Sequence, residues 1–405
     1  MNIAILGLGT VGSGVIKLIE ENRDKIIRLT GEELNITHAY VNNVAKERGL
    51  DLKDIVVTDD IELILNSPID VVIEVMGGEV GTLSILEEFL RKGIHVVTAN
   101  KDLLAVNIEN LTNLANKHKA MLFYEASVAG GIPIIRSIEH SLNSNKLTEV
   151  LGILNGTSNF ILSKMTLEGW SYEQALAEAQ ELGYAEADPT NDVEGLDAQR
   201  KIALLSRLAY DTVVNLQEVT ASGISSVDVA DLETAKQAGL VMKLIGKSAY
   251  DDDLRQLSIS VQPVFLPSTH QLANVHNAMN AVFVKGNGIG EAMFYGPGAG
   301  SLETASAVVS DVMHLAGIKA GAATRENFTP FGAAEVVVDT AAASYYVRFE
   351  VGAAPVITKE GLVLHPLETE AGNVAITSPL VQEDFAAFSQ VNELLAAYPI
   401  EGETW

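Results

Sequence analysis

The amino-acid sequence predicts an α/β protein built in three parts. Up to about residue 133, short apolar runs alternate with helical patterns, which is typical of parallel strands joined by crossover helices. From Ile134 onward, longer helical patterns and alternating segments take over. Near Ala342 a last, short group of strand and helix patterns begins.

The first part, residues 1–133, is predicted to form a doubly wound parallel sheet of the kind that binds nucleotides. Helices are predicted at Val11–Glu21, Leu83–Lys92 and Asn107–Lys119. The six predicted strands are Asn2–Leu6, Thr37–Val41, Ile55–Thr58, Asp70–Glu74, His95–Thr98 and Met121–Tyr124.

The second part, residues 134–296, is predicted to be α+β, with a strand at Gln256–Val264. Its helical or alternating segments are Ile134–Ser141, Asn159–Leu167, Ser171–Leu182 and Val193–Ala209. Glycine-rich Tyr295–Gly300 then leads into a helix at Leu302–Leu315. In the third part, residues 320–405, we predict strands at Tyr345–Val351, Leu362–Leu367 and Asn373–Ser378 and a helix at Glu383–Ala397.

The composition excludes several classes of function. The 405 residues include no cysteine, which rules out disulfides, thiolate metal sites and a Cys nucleophile. A formal charge of −26 repels polyphosphate and anionic lipid, so no nucleic-acid or membrane partner is expected. No apolar run approaches the length of a membrane span, and the N-terminus lacks the basic region of a signal peptide. We therefore expect a globular cytoplasmic protein.

A phosphate-binding pattern, G-x-G-x-x-G, follows the first predicted strand as Gly7-Leu8-Gly9-Thr10-Val11-Gly12. In such a pattern Gly7 permits the tight turn, Gly9 lets the backbone approach a pyrophosphate, and Gly12 allows close packing of helix on strand. The amides that open the helix, around Thr10 and Val11, face the anion. A glycine-rich turn without a ligand is the alternative, but the flanking strand and helix favour a dinucleotide site.

The end of the second predicted strand bears on the choice of dinucleotide. It carries Asn42 and Asn43 where a carboxylate would bind the ribose 2′-hydroxyl of NAD. Lys46 and Arg48 follow and could meet the 2′-phosphate of NADP, so the sequence slightly favours NADP over NAD. That both are solvated surface cations is an equally good interpretation.

Two further segments lie at the carboxyl edge of the predicted sheet, where ligands bind. Lys101 follows the fifth strand and could anchor a carboxylate or polarise a carbonyl. Glu125 follows the sixth strand and opens a segment of small residues whose carbonyls could join it around a hard cation. From spacing alone, a surface lysine and a glycine-rich domain connection are the simpler interpretations.

The acidic segment at 183–201 is the most informative. It places five carboxylates in a turn and the first turns of a helix, where negative charge is favoured. At 100° per residue, Asp197 and Lys201 lie on one stripe with Leu204 and Leu208. An Asp–Lys pair with this spacing is usually a surface bridge. Because this pair continues an apolar stripe, a buried catalytic cleft is an equally good interpretation.

Together these motifs resemble homoserine dehydrogenases over about the first 320 residues. The matching blocks are IAILGLGTVG at 3–12, VVTANK at 96–101, EASVAGGIPII at 125–135, GILNGTSNFIL at 152–162, GYAEADPTNDVEGLDAQRK at 183–201 and YGPGAGSLETASAVVSD at 295–311. The resemblance implies an N-terminal Rossmann-type doubly wound parallel sheet, rejoined by a helix at about 297–318, and an α+β catalytic and dimerisation domain at 134–296. It also implies interconversion of L-aspartate 4-semialdehyde and L-homoserine with NAD or NADP, in threonine, methionine and isoleucine biosynthesis.

The resemblance also implies roles for individual residues. Lys201 would protonate the alkoxide formed by hydride transfer, and Asp197 would orient Lys201 and the substrate. Glu186 and Asp192 would bind the substrate, Glu186 at its ammonium end, and Lys101 would lie beside nicotinamide and substrate. The residues that would contact the cofactor are Gly7, Gly9, Thr10, Val11, Gly12, Lys101, Gly183, Glu186 and Gly300.

Family resemblance extends to a cation and to assembly. Glu125 and the backbone carbonyls of Val128, Gly130 and Ile132 resemble the family's sodium site. A homodimer or homotetramer is implied. The C-terminal segments YYVRFEV and GAAPVITKEGLVL resemble the start of an amino-acid-binding ACT domain, but its usual Pro-Gly and following helix are absent. We therefore expect a small, shortened ACT-like α+β domain, and threonine feedback stays open.

Two alternatives remain. One is another amino-acid or hydroxy-acid NAD(P) oxidoreductase on this scaffold, for which Glu186 would be dispensable if the substrate lacks an ammonium group. The other is a non-catalytic cofactor-binding sensor, for which Lys201→Ala would leave function intact. The absence of cysteine excludes acylating aldehyde dehydrogenases, which form a thiohemiacetal on a Cys.

Overall fold

The computed structural model describes residues 1–78, 80–319, 327–369 and 373–402. The chain divides into two units. The first comprises Met1–Ser144, Ala203–Leu216 and Gly296–Ala333, and the second Asn145–Ile202, Gln217–Tyr295 and Ala334–Trp405. Of the segment predicted as a third domain, residues 334–402 belong to the second unit, and residues 320–326 lie outside the described residues.

A six-stranded parallel sheet forms the centre of the first unit, as predicted. Its strands are β1 (Asn2–Leu6), β2 (Asn35–Tyr40), β3 (Val56–Thr58), β4 (Val71–Glu74), β5 (His95–Thr98) and β6 (Leu122–Phe123), in the order β3-β2-β1-β4-β5-β6. Its helices are α1 (Thr10–Glu21), α2 (Arg23–Thr30), α3 (Ile61–Leu65), α4 (Thr82–Arg91) and α5 (Lys101–Lys117). The order reverses between β1 and β4, and ligands of such sheets bind at the carboxyl ends of strands at this point.

Helix α5 begins six residues before the predicted start at Asn107. Asn100 is its N-cap, because the Asn100 side chain accepts a hydrogen bond from the Leu103 amide at 3.2 Å. Leu103 and Leu104 are fully buried on the first turn. Lys101 is therefore the first residue of a helix and not part of a loop.

The second unit is built on a long, mainly antiparallel sheet. Its strands up to residue 297 are β7 (Leu147–Ile153), β8 (Thr220–Ala221), β9 (Leu240–Asp251), β10 (Gln256–Pro267), β11 (Met279–Gly286) and β12 (Gly290–Pro297). Its helices are α6 (Gly156–Glu168), α7 (Tyr172–Glu181), α8 (Thr190–Val193) and α10 (Val229–Gln237), together with the start of α9 (Leu196–Ala209), whose residues from Ala203 belong to the first unit. Of these strands only β10 was predicted. In β9 every residue from Met242 to Gly246 is buried, so the alternation that marks a half-exposed strand is missing.

Two predicted helical segments differ from the structure. Ile134–Ser141 contains only a short π-helical turn at Ser137–Ser141. The segment Val193–Ala209 is divided into α8 and α9, because Gly195 adopts a left-handed conformation with φ of 77°.

Helix α11 (Ser301–Lys319) packs in the core of the first unit. It lies close to α1 at Gly14, where an added Cβ would be 2.6 Å from the Ser301 carbonyl oxygen. The Ser301 hydroxyl donates to the Thr10 carbonyl at 2.7 Å. Among the described residues, no helix is both long and apolar enough to cross a membrane.

The C-terminal strands continue the sheet of the second unit. They are β13 (Glu335–Val336), β14 (Ser344–Arg348), β15 (Leu364–Pro366), β16 (Val374–Thr377) and β17 (Ala396–Ile400), with α12 (Gln382–Asn392) before β17. The helix predicted to reach Ala397 ends at Asn392, because Glu393 is left-handed with φ of 47° and the chain then pairs as β17 with β14. Residues 349–363, all described, contain no helix. Assignment of this segment to the ACT domains stays a prediction.

Candidate active site

Lys201 and Asp197 form a buried ion pair on the first turns of α9. Lys201 Nζ lies 2.7 Å from Asp197 Oδ2, and the two side chains are only 11% and 8% exposed. Leu204 and Leu208 on the same stripe are buried as well. The pair is therefore a buried ion pair and not a surface bridge, and both of its residues belong to the second unit.

The ammonium group of Lys201 is held by two acceptors. Besides Asp197, it donates to the carbonyl oxygen of Leu154 at 2.8 Å. An ammonium has three N–H groups, and no acceptor for the third is present among the described residues. Such a group is a buried, oriented proton donor with one N–H left for a ligand.

Asn155, which was not predicted as a site residue, contacts two predicted site residues, Asp192 and Asp197, and the start of helix α6. Its Nδ2 donates to Asp197 Oδ2 at 2.9 Å and to Asp192 Oδ1 at 2.7 Å. Its Oδ1 accepts the Ser158 amide at 2.8 Å and so caps α6. The sequence does contain the signal for the cap, an Asn before a helix, but not for the two carboxylates.

Glu186 and Gly183 lie on the exposed part of the acidic segment. Gly183 follows α7 with φ of 77° and has open space around it. Glu186 is exposed, and its backbone carbonyl accepts a hydrogen bond from Gln180 Nε2 at 3.1 Å. The structure thus brings Lys201, Asp197 and Asp192 together, while the Glu186 side chain faces solvent.

The G-x-G-x-x-G turn has the geometry that a dinucleotide requires. Gly7 has φ of 104°, and an added Cβ would lie 2.9 Å from the Val75 carbonyl oxygen. An added Cβ on Gly12 would lie 2.0 Å from the Gly7 carbonyl oxygen, so helix and turn pack too closely for any side chain. Gly9, the N-cap of α1, has open space around it and no side-chain cap. The amides of Thr10 and Val11 are therefore open to a phosphate.

A buried carboxylate, Glu74, organises the carboxyl edge next to this turn. It accepts hydrogen bonds from the amides of Met76 (2.8 Å) and Gly77 (3.2 Å) and from the Thr98 hydroxyl (2.6 Å). Lys101 opens α5 at the same edge, 28% exposed, with Nζ 3.3 Å from Asp102 Oδ2. Glu74 is the acidic last residue of the apolar strand β4, a position visible in the sequence, but it was not predicted as a site residue.

Beyond β2, Arg48 is fixed beside the two asparagines. Its guanidinium donates to the carbonyl oxygens of Asn43 at 2.7 Å and Lys46 at 2.6 Å. Asn42, Asn43 and Lys46 are exposed. The loop therefore presents a tethered cation, and the residues directly after the strand, Val41, Asn42 and Asn43, are not carboxylates.

The segment that opens with Glu125 is buried and internally bonded. The Glu125 carboxylate accepts the amides of Ile135 (2.9 Å) and Arg136 (2.8 Å), and its own amide donates to Asp311. Arg136 forms an ion pair with Asp311. Burial raises the pKa of Asp311 to about 7 and also raises the pKa of Glu125, against the lowering effect of Arg136. The Arg136 guanidinium thus pairs with Asp311, while Glu125 accepts the backbone amide of the same arginine.

Backbone oxygens in this segment are candidates for a cation. In the described ranges, no cluster of three or more acidic or His side chains could hold a metal. Ala129 and Gly130 both have φ near 55°, which turns the chain sharply. The buried carbonyls of Val128 and Gly130 accept no hydrogen bond from the described residues, whereas Ile132 accepts the Ile134 amide at 2.9 Å.

The last predicted cofactor residue, Gly300, lies directly before α11. Its φ is 147°, and an added Cβ would overlap the Glu303 carboxylate at 2.1 Å. The Glu303 side chain is flexible and can move aside, so the positive φ is what favours glycine at this position.

Two family models match the chain. "Homoserine dehydrogenase, NAD binding domain" covers residues 7–125, and "Homoserine dehydrogenase" covers residues 133–313. The homoserine dehydrogenase of Bacillus subtilis is 48% identical over 314 residues, which are 77% of this chain and 72% of that protein.

Solved structures agree with the family models. A homoserine dehydrogenase from Thiobacillus denitrificans has a TM-score of 0.92 at 31% identity, covering 99% of this chain and 98% of that one. A hyperthermophilic archaeal homoserine dehydrogenase in complex with NADPH has a TM-score of 0.66 at 28% identity, covering 77% and 96%. Neither another oxidoreductase nor a sensor is favoured. With these matches across both the dinucleotide turn and the buried Lys–Asp pair, the chain belongs to the homoserine dehydrogenase family of NAD(P)-dependent oxidoreductases.

Proposed function

We propose that Lys201 is the proton donor when L-aspartate 4-semialdehyde is reduced to L-homoserine. A reduced nicotinamide, when bound, would supply a hydride to the aldehyde carbon. Lys201 would give an N–H proton to the carbonyl oxygen, so that the C=O double bond becomes a C–O single bond with a new C–H and a new O–H bond. The observation that carries this proposal is the buried ammonium with two N–H groups fixed by Leu154 and Asp197.

Asp197 would orient Lys201, since its Oδ2 lies 2.7 Å from the ammonium nitrogen. Asp192 would bind the substrate ammonium. Glu186 would contact the same end of the substrate from the exposed acidic segment, and the cofactor as well. Lys101 would bind the substrate carboxylate, because the amides at the start of α5 add to its charge.

We propose NADP as the preferred cofactor. Gly7, Gly9, Thr10, Val11 and Gly12 would bind the pyrophosphate, and Gly183 and Gly300 would let the backbone approach the dinucleotide. The guanidinium of Arg48, held beside Asn43 where no carboxylate competes, would pair with a 2′-phosphate. The archaeal structure with NADPH supports this choice.

Sodium is proposed at 125–132. The buried carbonyls of Val128 and Gly130 lack donors among the described residues, which an ion would satisfy together with Glu125 and Ile132. Bound sodium would supply fixed positive charge that holds this segment. Cytoplasmic location, a homodimer or homotetramer, and a place in threonine, methionine and isoleucine biosynthesis rest on the family alone.

The test is one assay with matched variants. Purified protein is given L-homoserine with NAD or NADP in parallel, and nicotinamide absorbance is followed. We expect turnover with a higher kcat/KM for NADP, and loss of that preference in Arg48→Ala. Lys201→Ala should bind cofactor but not turn over. Normal turnover by Lys201→Ala would contradict the assigned proton donor.

A further inference from the structure

The contacts of Asn155 suggest a function beyond capping a helix. This residue is 5% exposed and connects β7 to α6. Its Oδ1 accepts the Ser158 amide, so the oxygen must face α6 and the nitrogen must face Asp192 and Asp197. The two hydrogens of the amide nitrogen match the two carboxylates one to one.

Only asparagine meets all of these requirements at this position. Asp or Ser is an equally good N-cap. Asp, however, would place a third carboxylate against Asp192 and Asp197, and Ser has no pair of N–H donors. The choice among good caps is therefore decided by the carboxylates and not by the helix.

The neighbouring backbone completes the arrangement. Leu154 accepts from Lys201 while Asn155 donates to Asp197, so two consecutive residues hold both partners of the ion pair. Asp197 Oδ2 accepts from both Asn155 Nδ2 and Lys201 Nζ. Any rotation of the Asp197 carboxylate would break one of these bonds and turn the ammonium away.

We propose that Asn155 is a positioning residue for proton transfer: its amide sets the orientation of Asp197 and Asp192 and, through Asp197, of Lys201. This inference rests on the proposed role of Lys201. The charged groups that face the Asn155 amide are Asp192, Asp197 and Lys201. Groups that orient a catalytic shell typically change activity 10- to 100-fold when removed.

The experiment compares Asn155→Ser and Asn155→Asp with the unchanged protein. Both variants keep an N-cap for α6. Asn155→Asp also brings a third carboxylate against those of Asp192 and Asp197 and should lower the melting temperature, whereas Asn155→Ser adds no charge and should lower it less. We expect kcat to fall about 10- to 100-fold in each folded variant, with the affinity for NADP unchanged.

The outcomes separate this inference from the proposed function. If Asn155 is only a cap, both variants keep kcat within twofold, and the inference is wrong. If Lys201→Ala is inactive while both Asn155 variants are normal, the proton donor stands and only the positioning role falls. If Lys201→Ala is active, the proposed function fails first. A kcat loss accompanied by an equal loss of NADP affinity would also contradict the positioning role, because it would indicate general disruption and not misplaced proton-transfer groups.

Discussion

Lys201 and Lys243 are two buried lysines of the second unit in opposite electrostatic surroundings. Lys201 is 9% exposed and Lys243 only 1%. Lys201 contacts the carboxylate of Asp197 at 2.7 Å. Lys243 contacts neutral oxygens, Asn159 Oδ1 at 3.2 Å and the Val275 carbonyl at 2.5 Å, and no carboxylate among the described residues.

The difference between the two lysines is a counter-charge, which Lys201 has and Lys243 lacks among the described residues. Without a counter-charge, burial lowers the pKa of Lys243 to about 7. Asp197 supplies the counter-charge for Lys201 from one helical turn away. Helix α6 serves both lysines: Leu154 and Asn155 before it hold the Lys201 pair, and Asn159 within it holds Lys243.

The largest effect is expected from exchanging each lysine for an uncharged residue. Lys201→Ala should lower kcat by at least about 10²- to 10⁴-fold, the usual contribution of a general acid. Lys243→Met should keep kcat within about threefold, because no proposed substrate contact involves it. Steady-state kinetics with homoserine and NADP measures both. Equal losses of kcat in the two variants would mean that the counter-charge does not distinguish the catalytic lysine from the other buried lysine.

Asp197→Asn makes Lys201 resemble Lys243, because it removes the counter-charge and keeps the shape. We expect kcat near neutral pH to fall about 10- to 100-fold, because Lys201 loses the charged partner that orients it. Asp188→Asn, which changes an exposed carboxylate of the same segment, is the matched control and should leave kcat unchanged. An unchanged kcat in Asp197→Asn would contradict the role given to the carboxylate.

The sequence alone predicted the Asp197–Lys201 pair of this site, because the two residues are close together in the sequence. Asp197 and Lys201 stand one helical turn apart on an apolar stripe, which the sequence displays directly. Asn155 could not be assigned in that way, because Asp192 and Asp197 lie 37 and 42 residues away and meet it only through the fold. Lys243 is concealed for another reason: it lies in a buried strand and looks like any charge within an apolar run.

The same dependence on local sequence explains which strands were predicted and which were missed. The six parallel strands were predicted because each is a short apolar run bounded by turn residues. The sequence missed β9 because both of its faces are covered, and it missed β17 because Ala396–Ile400 becomes a strand by pairing with β14 and β10. Pairing between distant segments leaves little periodic trace within either one.

A smaller effect concerns stability and pH. Lys243 has a pKa of about 7 when folded and 10.5 as a free side chain. Between these values the unfolded chain binds more protons, so Lys243 makes the free energy of unfolding rise with pH, by up to about 1.4 kcal/mol per pH unit. Lys243→Met should remove this rise. Denaturant unfolding at pH 7 and pH 9 measures the difference between the unchanged protein and the variant.

The control for this measurement is Lys236→Met, which removes an exposed lysine from α10. Its unfolding free energy should stay parallel to that of the unchanged protein between pH 7 and pH 9. If Lys243→Met is also parallel, Lys243 does not lose its proton in this range. The contrast with Lys201 would then have to be explained without a difference in protonation.

The smallest effect is a change in a neighbouring histidine. Burial lowers the pKa of His276, and the charge on Lys243 lowers it further. Lys243→Met should therefore raise the pKa of His276, but only in part, since burial remains. Burial also lowers the pKa of His270, while Glu401 raises it and Lys285 lowers it; Lys243 is not among these main causes, so His270 serves as an internal control. Proton NMR titration of the histidine ring C–H signals measures both in one sample. A shift of His276 alone shows that Lys243 carries charge at the pH where His276 titrates, whereas equal shifts of both histidines would indicate a general change in packing.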